Sequence, residues 1–146
     1  MDNLYVLIKE FHSLFRWWVL ALSVIVVMNF LLGAVWKKVY DKAENFLTLF
    51  YIISLDIQLL IGLLLYFVFS PITKGLFEGT SGMDNATTRF YAVEHPIMML
   101  LAIIFAHVGR SVSKKGATDV IKFRRGLIWF ALSLICMLAR MPWQML

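Results

Sequence analysis

The stretch LFRWWVLALSVIVVMNFLLGAV, residues 14–35, decides the fold of this chain. The stretch contains few polar residues, and its length matches the ~20 residues that a helix needs to cross the ~30 Å hydrocarbon core of a bilayer. Because lipid offers no partners to backbone N–H and C=O groups, such a stretch predicts a transmembrane helix. Three further apolar stretches predict the same, at about residues 46–69, 91–110 and 126–141.

The composition of the whole chain agrees with a protein that has the bilayer as its solvent. Its 146 residues are 61% hydrophobic and 16% charged, with a mean hydropathy of +0.79, whereas soluble domains carry about 25% charged residues. We therefore predict an all-α integral membrane protein, a single transmembrane domain over residues 1–146. Short connections between helices 1 and 2 and between helices 3 and 4 predict an up-down-up-down four-helix bundle. The segment Leu4 to Ser13 is read either as an amphipathic lead-in or as more of helix 1.

The basic residues predict the orientation of the helices. The net charge of +5 does not indicate nucleic-acid binding, because the basic residues lie in connections beside the spans, where cytoplasmic loops retain Lys and Arg. The connections between helices 1 and 2 and between helices 3 and 4 carry Lys37, Lys38, Lys42, Arg110, Lys114, Lys115, Lys122, Arg124 and Arg125. We therefore expect residues 111–124 inside, residues 72–90 outside, and both termini outside.

Four ionisable residues are predicted to meet at the outer level of the bundle. His12 and Arg16 lie at the outer end of helix 1, His95 at that of helix 3 and Arg140 at that of helix 4. Ionisable groups are costly in a membrane span and so mark candidate functional sites.

Helical periodicity predicts which way these residues point. Arg16 and Ser23 share a stripe with His12, since ~100° separates successive residues of a helix. On helix 3 the face of His95 carries mostly small residues, which let helices approach closely in membranes: Met99, Ala102, Ala106, Gly109 and Ser113. On helix 4 the stripe of Gly126 and Ser133 extends to Arg140, which we therefore expect to point into the bundle.

Two inward histidines on alternate helices of a four-helix bundle can face each other, and imidazole is a common axial ligand of haem iron. We therefore predict His12 and His95 as ligands of one haem b. Arginine binds carboxylates in a bidentate fashion, so Arg16, Arg140 and Arg89 are the candidate partners of the haem propionates. The predicted apolar wall contains Phe11, Phe15, Met98, Met99 and Met137. The alternative is that these His and Arg side chains only reach toward the headgroups or bond backbone carbonyls.

Two further polar residues have no role in this prediction. His107 lies about three turns inward of His95 with no fourth histidine to pair with, and we interpret it as a helix-end residue near the cytoplasmic headgroups. Asp56 lies near the middle of helix 2, on a different face from the stripe of Tyr51, Ser54, Gln58, Gly62 and Tyr66. It is expected to bond a neighbouring helix, to line that helix as a protonated group, or to meet a partner subunit.

Short motifs in the chain resemble a known kind of protein. The string from His12 to Trp17, with Arg four residues after His, and Glu94-His95 followed by Met98 and Met99 resemble small bacterial four-helix membrane proteins described as cytochrome b-like. More distantly, the plan is similar to half of a haem A synthase or to a cytochrome b561. The resemblance implies His12 and His95 as ligands and the bacterial inner membrane as the location. Those larger families usually use four histidines, whereas this chain has three.

The sequence leaves three functions open. The first is a one-haem b-type cytochrome that exchanges electrons with a lipid-soluble partner such as quinone. The second is a non-redox accessory subunit of a larger membrane complex, or a homodimer, with Asp56 and the stripe of helix 2 as its contacts. The third is a small transporter or metal-binding protein with ligands Glu10, His12, Glu94 and His95. No nucleophile with a base, phosphate loop or Cys cluster supports hydrolysis or group transfer, because the only cysteine is Cys136 within the last apolar stretch.

Overall fold

The protein is all-α in the computed structural model, which describes residues 2–143. Its helices are α1 (Asp2–Trp36), α2 (Lys42–Leu64), α3 (Pro71–Phe77), α4 (Ala86–Arg89), α5 (His95–Lys114) and α6 (Asp119–Ala139). A π-helical segment, Leu65–Phe69, continues α2, and a second, Phe90–Glu94, leads into α5. Within the described residues, three continuous helical stretches are long and apolar enough to cross a membrane: Asn3–Trp36, Lys42–Phe69 and Ala86–Lys114. The chain is a multi-pass membrane protein.

Each predicted span overlaps one of the long helices, but the boundaries differ. Residues 4–13 belong to α1, so the reading as more of the same helix is the correct one. α6 begins at Asp119, because the Thr118 side chain accepts a hydrogen bond from the Ile121 amide and caps it, and it ends at Ala139 rather than at residue 141. Its first two turns carry Lys122, Arg124 and Arg125, which is why α6 is less apolar than the other three long helices.

The four long helices form a bundle in which each packs against two others. α1 contacts α2 and α6, and α5 also contacts α2 and α6. Each neighbouring pair runs antiparallel: an early residue of one helix meets a late residue of the other, as in His12 with Gln58 and Ala102 with Ser133. Consequently α1 and α5 lie across the bundle from each other, and so do α2 and α6.

A network of hydroxyl groups joins the four long helices at the centre of the bundle. The Tyr51 hydroxyl donates to Ser23 Oγ at 3.0 Å and lies 3.3 Å from Ser133 Oγ. Ser133 Oγ in turn donates to the Ala102 carbonyl at 2.7 Å. All three hydroxyl side chains are buried. Ser23 and Ser133 therefore face inward, as predicted for the stripes of helices 1 and 4. The stripe of helix 2 is different: Tyr51 is buried at the centre of the bundle, so this stripe is not the contact surface for a larger complex that the sequence left open.

The outer surface of the bundle is apolar, as contact with lipid requires. Large exposed hydrophobic side chains occur on every long helix and include Leu14, Leu60, Ile104, Ile128 and Ile135. Inside, small residues let α6 approach its neighbours: a Cβ at Gly126 would overlap the Phe30 ring, and one at Gly109 would lie 3.0 Å from Trp129 Cβ. The buried face of α5, with Ala102, Ala106 and Gly109, is the packed face that the sequence predicted.

Short helices and capped turns complete the chain at the two ends of the bundle. A capping box formed by Asp41 and Glu44 begins α2, and Lys37, with φ of 52°, ends α1 in a left-handed conformation. At the opposite end, Ser70 caps α3 through the Thr73 amide, and α3 packs against the π-helical segment that precedes α5.

Candidate functional site

The candidate site lies at the end of the bundle that holds the first half of α1, the start of α5 and the end of α6. His12 and Arg16 are one turn apart on α1, and His95 is the first residue of α5. The three side chains are close enough to interact electrostatically with one another. All three are partly buried. The structure therefore brings together two histidines and one arginine from helices that lie across the bundle from each other.

The ring of His95 is fixed by a backbone group. His95 Nδ1 lies 2.9 Å from the carbonyl oxygen of Arg140. A carbonyl oxygen can only accept, so Nδ1 carries the hydrogen and donates it, and Nε2 keeps the lone pair of the neutral ring. Metal-binding histidines commonly use the second ring nitrogen in this way, because the hydrogen bond sets the tautomer and the ring orientation.

The backbone before His95 departs from regular α-helix. Residues Phe90–Glu94 form a π-helical turn, and such turns occur often at functional sites because they reorient the side chains that follow. The Tyr66 hydroxyl donates to the Ala92 carbonyl at 2.8 Å, which ties this turn to the π-helical segment at the end of α2. The Phe90 ring stacks on the His95 ring with centroids 6.0 Å apart. These contacts hold His95 in place from two sides.

The ring of His12 has no strong partner. Gln58 Nε2 donates to the His12 carbonyl at 3.0 Å and lies 3.4 Å from His12 Nε2, a long contact for a hydrogen bond. His12 Nδ1 is buried and has no hydrogen-bond partner. The ring lies against Gly62, where an added Cβ would be 3.2 Å from His12 Cε1. Gly62 thus leaves the space in which the imidazole sits.

Unsatisfied polar atoms are concentrated at this site. Within residues 2–143, four buried side-chain nitrogen or oxygen atoms have no hydrogen-bond partner, and three of them lie here: His12 Nδ1, Arg16 Nε and Gln58 Oε1. Leaving such an atom unpaired costs about 1–3 kcal/mol, so a group of them in a native protein calls for a missing ligand or water. An imidazole nitrogen can bind haem iron, and a guanidinium N–H can donate to a propionate, so His12, His95 and Arg16 have the chemistry that a haem requires. Gln58 Oε1 accepts hydrogen bonds and would need a separate donor, such as water.

Arg140 does not point into the bundle, which corrects the prediction from the sequence. α6 ends at Ala139, and Arg140 has φ of −132° and ψ of 28°, so its side chain leaves the helical stripe. Its Nε lies 3.3 Å from Glu94 Oε2, while Arg89 Nε lies 3.1 Å from Glu94 Oε1. Both arginine side chains are about half exposed, at 48% and 47%. Glu94 therefore contacts both Arg89 and Arg140, which the sequence had assigned to the propionates. Arg140 contributes to the site through its carbonyl oxygen.

The predicted apolar wall is only partly assembled. Met137 is buried, and Phe15, Met98 and Met99 are partly buried against the core. Phe11 is 51% exposed and stacks on Phe15 from the outside, so it does not line the interior as the sequence suggested. The reason is its position one residue before His12, which places it on the outward face of α1.

Asp56 and His107, which had no assigned partners, contact each other. His107 Nε2 lies 2.9 Å from Asp56 Oδ1, joining α5 to α2. Of the three alternatives for Asp56, the contact with a neighbouring helix is the one observed. Sequence periodicity places Asp56 off the inward face of α2 and His107 off the His95 face of α5, which was the signal available for this pairing. In the described part of the chain, no group of three or more His, Cys, Asp or Glu residues could hold a metal ion, so Glu10, His12, Glu94 and His95 do not form a bare-ion site there.

Comparisons with known proteins add no assignment. No family model, curated protein or solved structure matches the chain. The resemblance to cytochrome b-like membrane proteins therefore stays a prediction that rests on the motifs around His12 and His95.

Proposed function

We propose that the protein is a b-type membrane cytochrome that binds one haem between His12 and His95 and transfers electrons. The observation that carries the proposal is the group of unpartnered atoms on His12, Arg16 and Gln58 beside a histidine whose ring is already oriented. A helix-end histidine that only reaches toward headgroups would not be expected to leave a buried ring nitrogen unpaired.

Each residue has a separate part in this proposal. His95 would bind the haem iron through Nε2, because its Nδ1 donates to the Arg140 carbonyl. His12 would be the second histidine that holds the haem, and Gln58, which donates to the His12 carbonyl, would position it. Arg16 would bind a propionate through its unpartnered Nε, because Arg89 and Arg140 already contact Glu94. A bound haem b supplies a one-electron couple between ferric and ferrous iron.

The membrane arrangement belongs to the same proposal. α6 is the fourth span, with its charged first turns at the cytoplasmic surface, and both termini are outside in the inner membrane of a bacterium. The redox partner is a lipid-soluble quinone, because the ligands lie within the membrane spans and the surface around them is apolar. The haem then lies near the outer face, where electrons pass to an acceptor.

Absorption spectroscopy of the purified full chain tests this proposal. Protein produced with a haem supply should show sharp α and β bands after dithionite, and a pyridine haemochrome assay should give about one haem per chain. A preparation that stays colourless after haem supply would contradict the cytochrome and favour a non-redox accessory subunit.

A further inference from the structure

A basic cleft opens between α2 and α5 at the end of the bundle opposite His12 and His95. It has a volume of about 480 Å³ and is lined by Ile52, His107, Arg110, Ser111, Lys114 and Lys115. In this lining, three side chains carry a fixed positive charge and none carries a carboxylate. The cleft is unrelated to the residues assigned to haem.

Beyond the cleft, the outward faces of the two helices are apolar. On α5, Leu100, Ile104, His107, Ser111 and Lys114 share one outward face, because they recur every three to four residues. On α2, the face of Asp56 also carries Leu49, Ile53 and Leu60, all exposed. This surface is therefore apolar for most of its length and cationic at one end, which is complementary to a phospholipid with an anionic headgroup.

The cationic end holds groups suited to a phosphate. The Arg110 guanidinium donates through Nη2 to Asn45 Oδ1 at 3.1 Å, which orients it, while its buried Nε has no partner. Lys114 and Lys115 end α5 and are exposed, and the Ser111 hydroxyl lies one turn earlier. Arg and Lys are the side chains that bind phosphate most strongly in proteins, and basic clefts between spans on the cytoplasmic side bind anionic headgroups.

The contact of Asp56 with His107 lies one turn further into the membrane. Both side chains are about half exposed, at 45% and 49%, and polar groups facing hydrocarbon are costly. A phospholipid whose phosphate occupies the cleft would place its glycerol and ester groups at about this level. The polar pair would then face the polar part of the lipid rather than its acyl chains.

We propose that this cleft binds an anionic phospholipid of the cytoplasmic leaflet, with the phosphate on Arg110, Ser111, Lys114 and Lys115 and an acyl chain along Ile53 and Ile104. The proposal is independent of haem binding, and only its choice of leaflet rests on the proposed membrane orientation.

Native mass spectrometry of the delipidated full chain tests the proposal, with phosphatidylglycerol and phosphatidylcholine as probes. The wild-type chain should prefer phosphatidylglycerol by about tenfold or more, because each surface cation adds to the attraction of an anionic headgroup. The double variant Lys114→Gln, Lys115→Gln should lose most of this preference, and Lys114→Arg, Lys115→Arg should keep it. The matched control Arg124→Gln, Arg125→Gln removes the same charge from exposed positions on α6 outside the cleft and should change the preference by less than about twofold.

Three outcomes would overturn the proposal. The first is a wild-type chain that binds both lipids equally. The second is an equal loss in the two double variants, which would mean general attraction to basic surface. The third is displacement of phosphatidylglycerol by excess inorganic phosphate alone, which would assign the cleft to a free anion. If the lysine double variant does not fold, the single variants Lys115→Gln and Arg125→Gln provide the same comparison.

Discussion

Asp56 Oδ1 and His107 Nε2 are 2.9 Å apart and join α2 to α5 on the outward side of the bundle. The two residues are 51 positions apart in the chain, and each lies in a helix that is long and apolar enough to cross a membrane. The contact lets each polar side chain satisfy the other, so a partner subunit is not needed to explain Asp56.

A double-mutant cycle on this pair should reveal its coupling. We expect Asp56→Ala and His107→Ala to show a coupling free energy on the order of 0.5–1.5 kcal/mol, because polar pairs within membranes are worth about that much. Asp56→Asn should keep most of the stability, since an amide still bonds the imidazole. The control is the pair Asp119 and Lys122, 3.2 Å apart within α6, which should couple by no more than about 0.5 kcal/mol. Additive effects of Asp56→Ala and His107→Ala on unfolding in detergent would contradict the contact.

Removal of the Tyr51 hydroxyl should destabilise the bundle. Tyr51→Phe leaves the buried Ser23 hydroxyl without its donor and removes the contact with Ser133, which should cost roughly 1–3 kcal/mol in the free energy of unfolding. Tyr40→Phe is the matched control, because the Tyr40 hydroxyl makes only a 3.4 Å contact with Ser113. Both variants are compared by thermal or denaturant unfolding. If Tyr51→Phe is as stable as Tyr40→Phe, the central network does not contribute to the stability of the bundle.

Arg16 should affect haem retention more than Arg89 or Arg140. Arg16→Ala removes a propionate partner worth about 1.5–3 kcal/mol, so haem should remain bound but dissociate faster. Its reduction potential should also fall, because ferric iron carries one more positive charge than ferrous iron and is repelled less once the cation is gone. Arg89→Ala is the control, since Arg89 is paired with Glu94. Equal haem loss from Arg16→Ala and Arg89→Ala would contradict the assignment of Arg16 as the propionate partner.

The membrane orientation can be tested by cysteine labelling in a Cys136→Ser background. A cysteine at Ser81, in the long connection before α4, should react with a membrane-impermeant maleimide added to intact cells. One at Ala117, between α5 and α6, should react only after the inner face is exposed, because basic loops stay in the cytoplasm. The reverse pattern of reaction would invert the proposed topology.

The sequence predicted the inward faces because helical periodicity is regular within a span. Ser23, Ala102 and Gly109 all lie on buried faces as expected, and Tyr51 faces the centre of the bundle. The same periodicity failed for Arg140, because α6 ends one residue earlier and the backbone turns away. A helix end depends on local turns and caps that a hydropathy pattern does not contain.

The details of the candidate site were less accessible from sequence. The sequence predicted that His12 and His95 lie at the same end of the bundle, because each is near the start of its span and the two helices run in the same direction. The role of Gln58 beside His12, the π-helical turn before His95 and the occupation of Arg89 by Glu94 depend on side-chain and backbone conformations. These arise from contacts between distant parts of the chain, so spacing alone could not supply them.

The central claim is that His12 and His95 bind one haem, and the reduced-minus-oxidised absorption spectrum of their variants tests it most directly. His12→Ala and His95→Ala should each abolish the low-spin α band, since loss of either axial ligand breaks the same iron site, while circular dichroism and gel filtration confirm that the variants stay folded. His107→Ala, the matched control, should keep the wild-type spectrum, because His107 contacts Asp56 far from the site. A normal low-spin spectrum in folded His12→Ala or His95→Ala protein, or its loss in His107→Ala, would contradict the account.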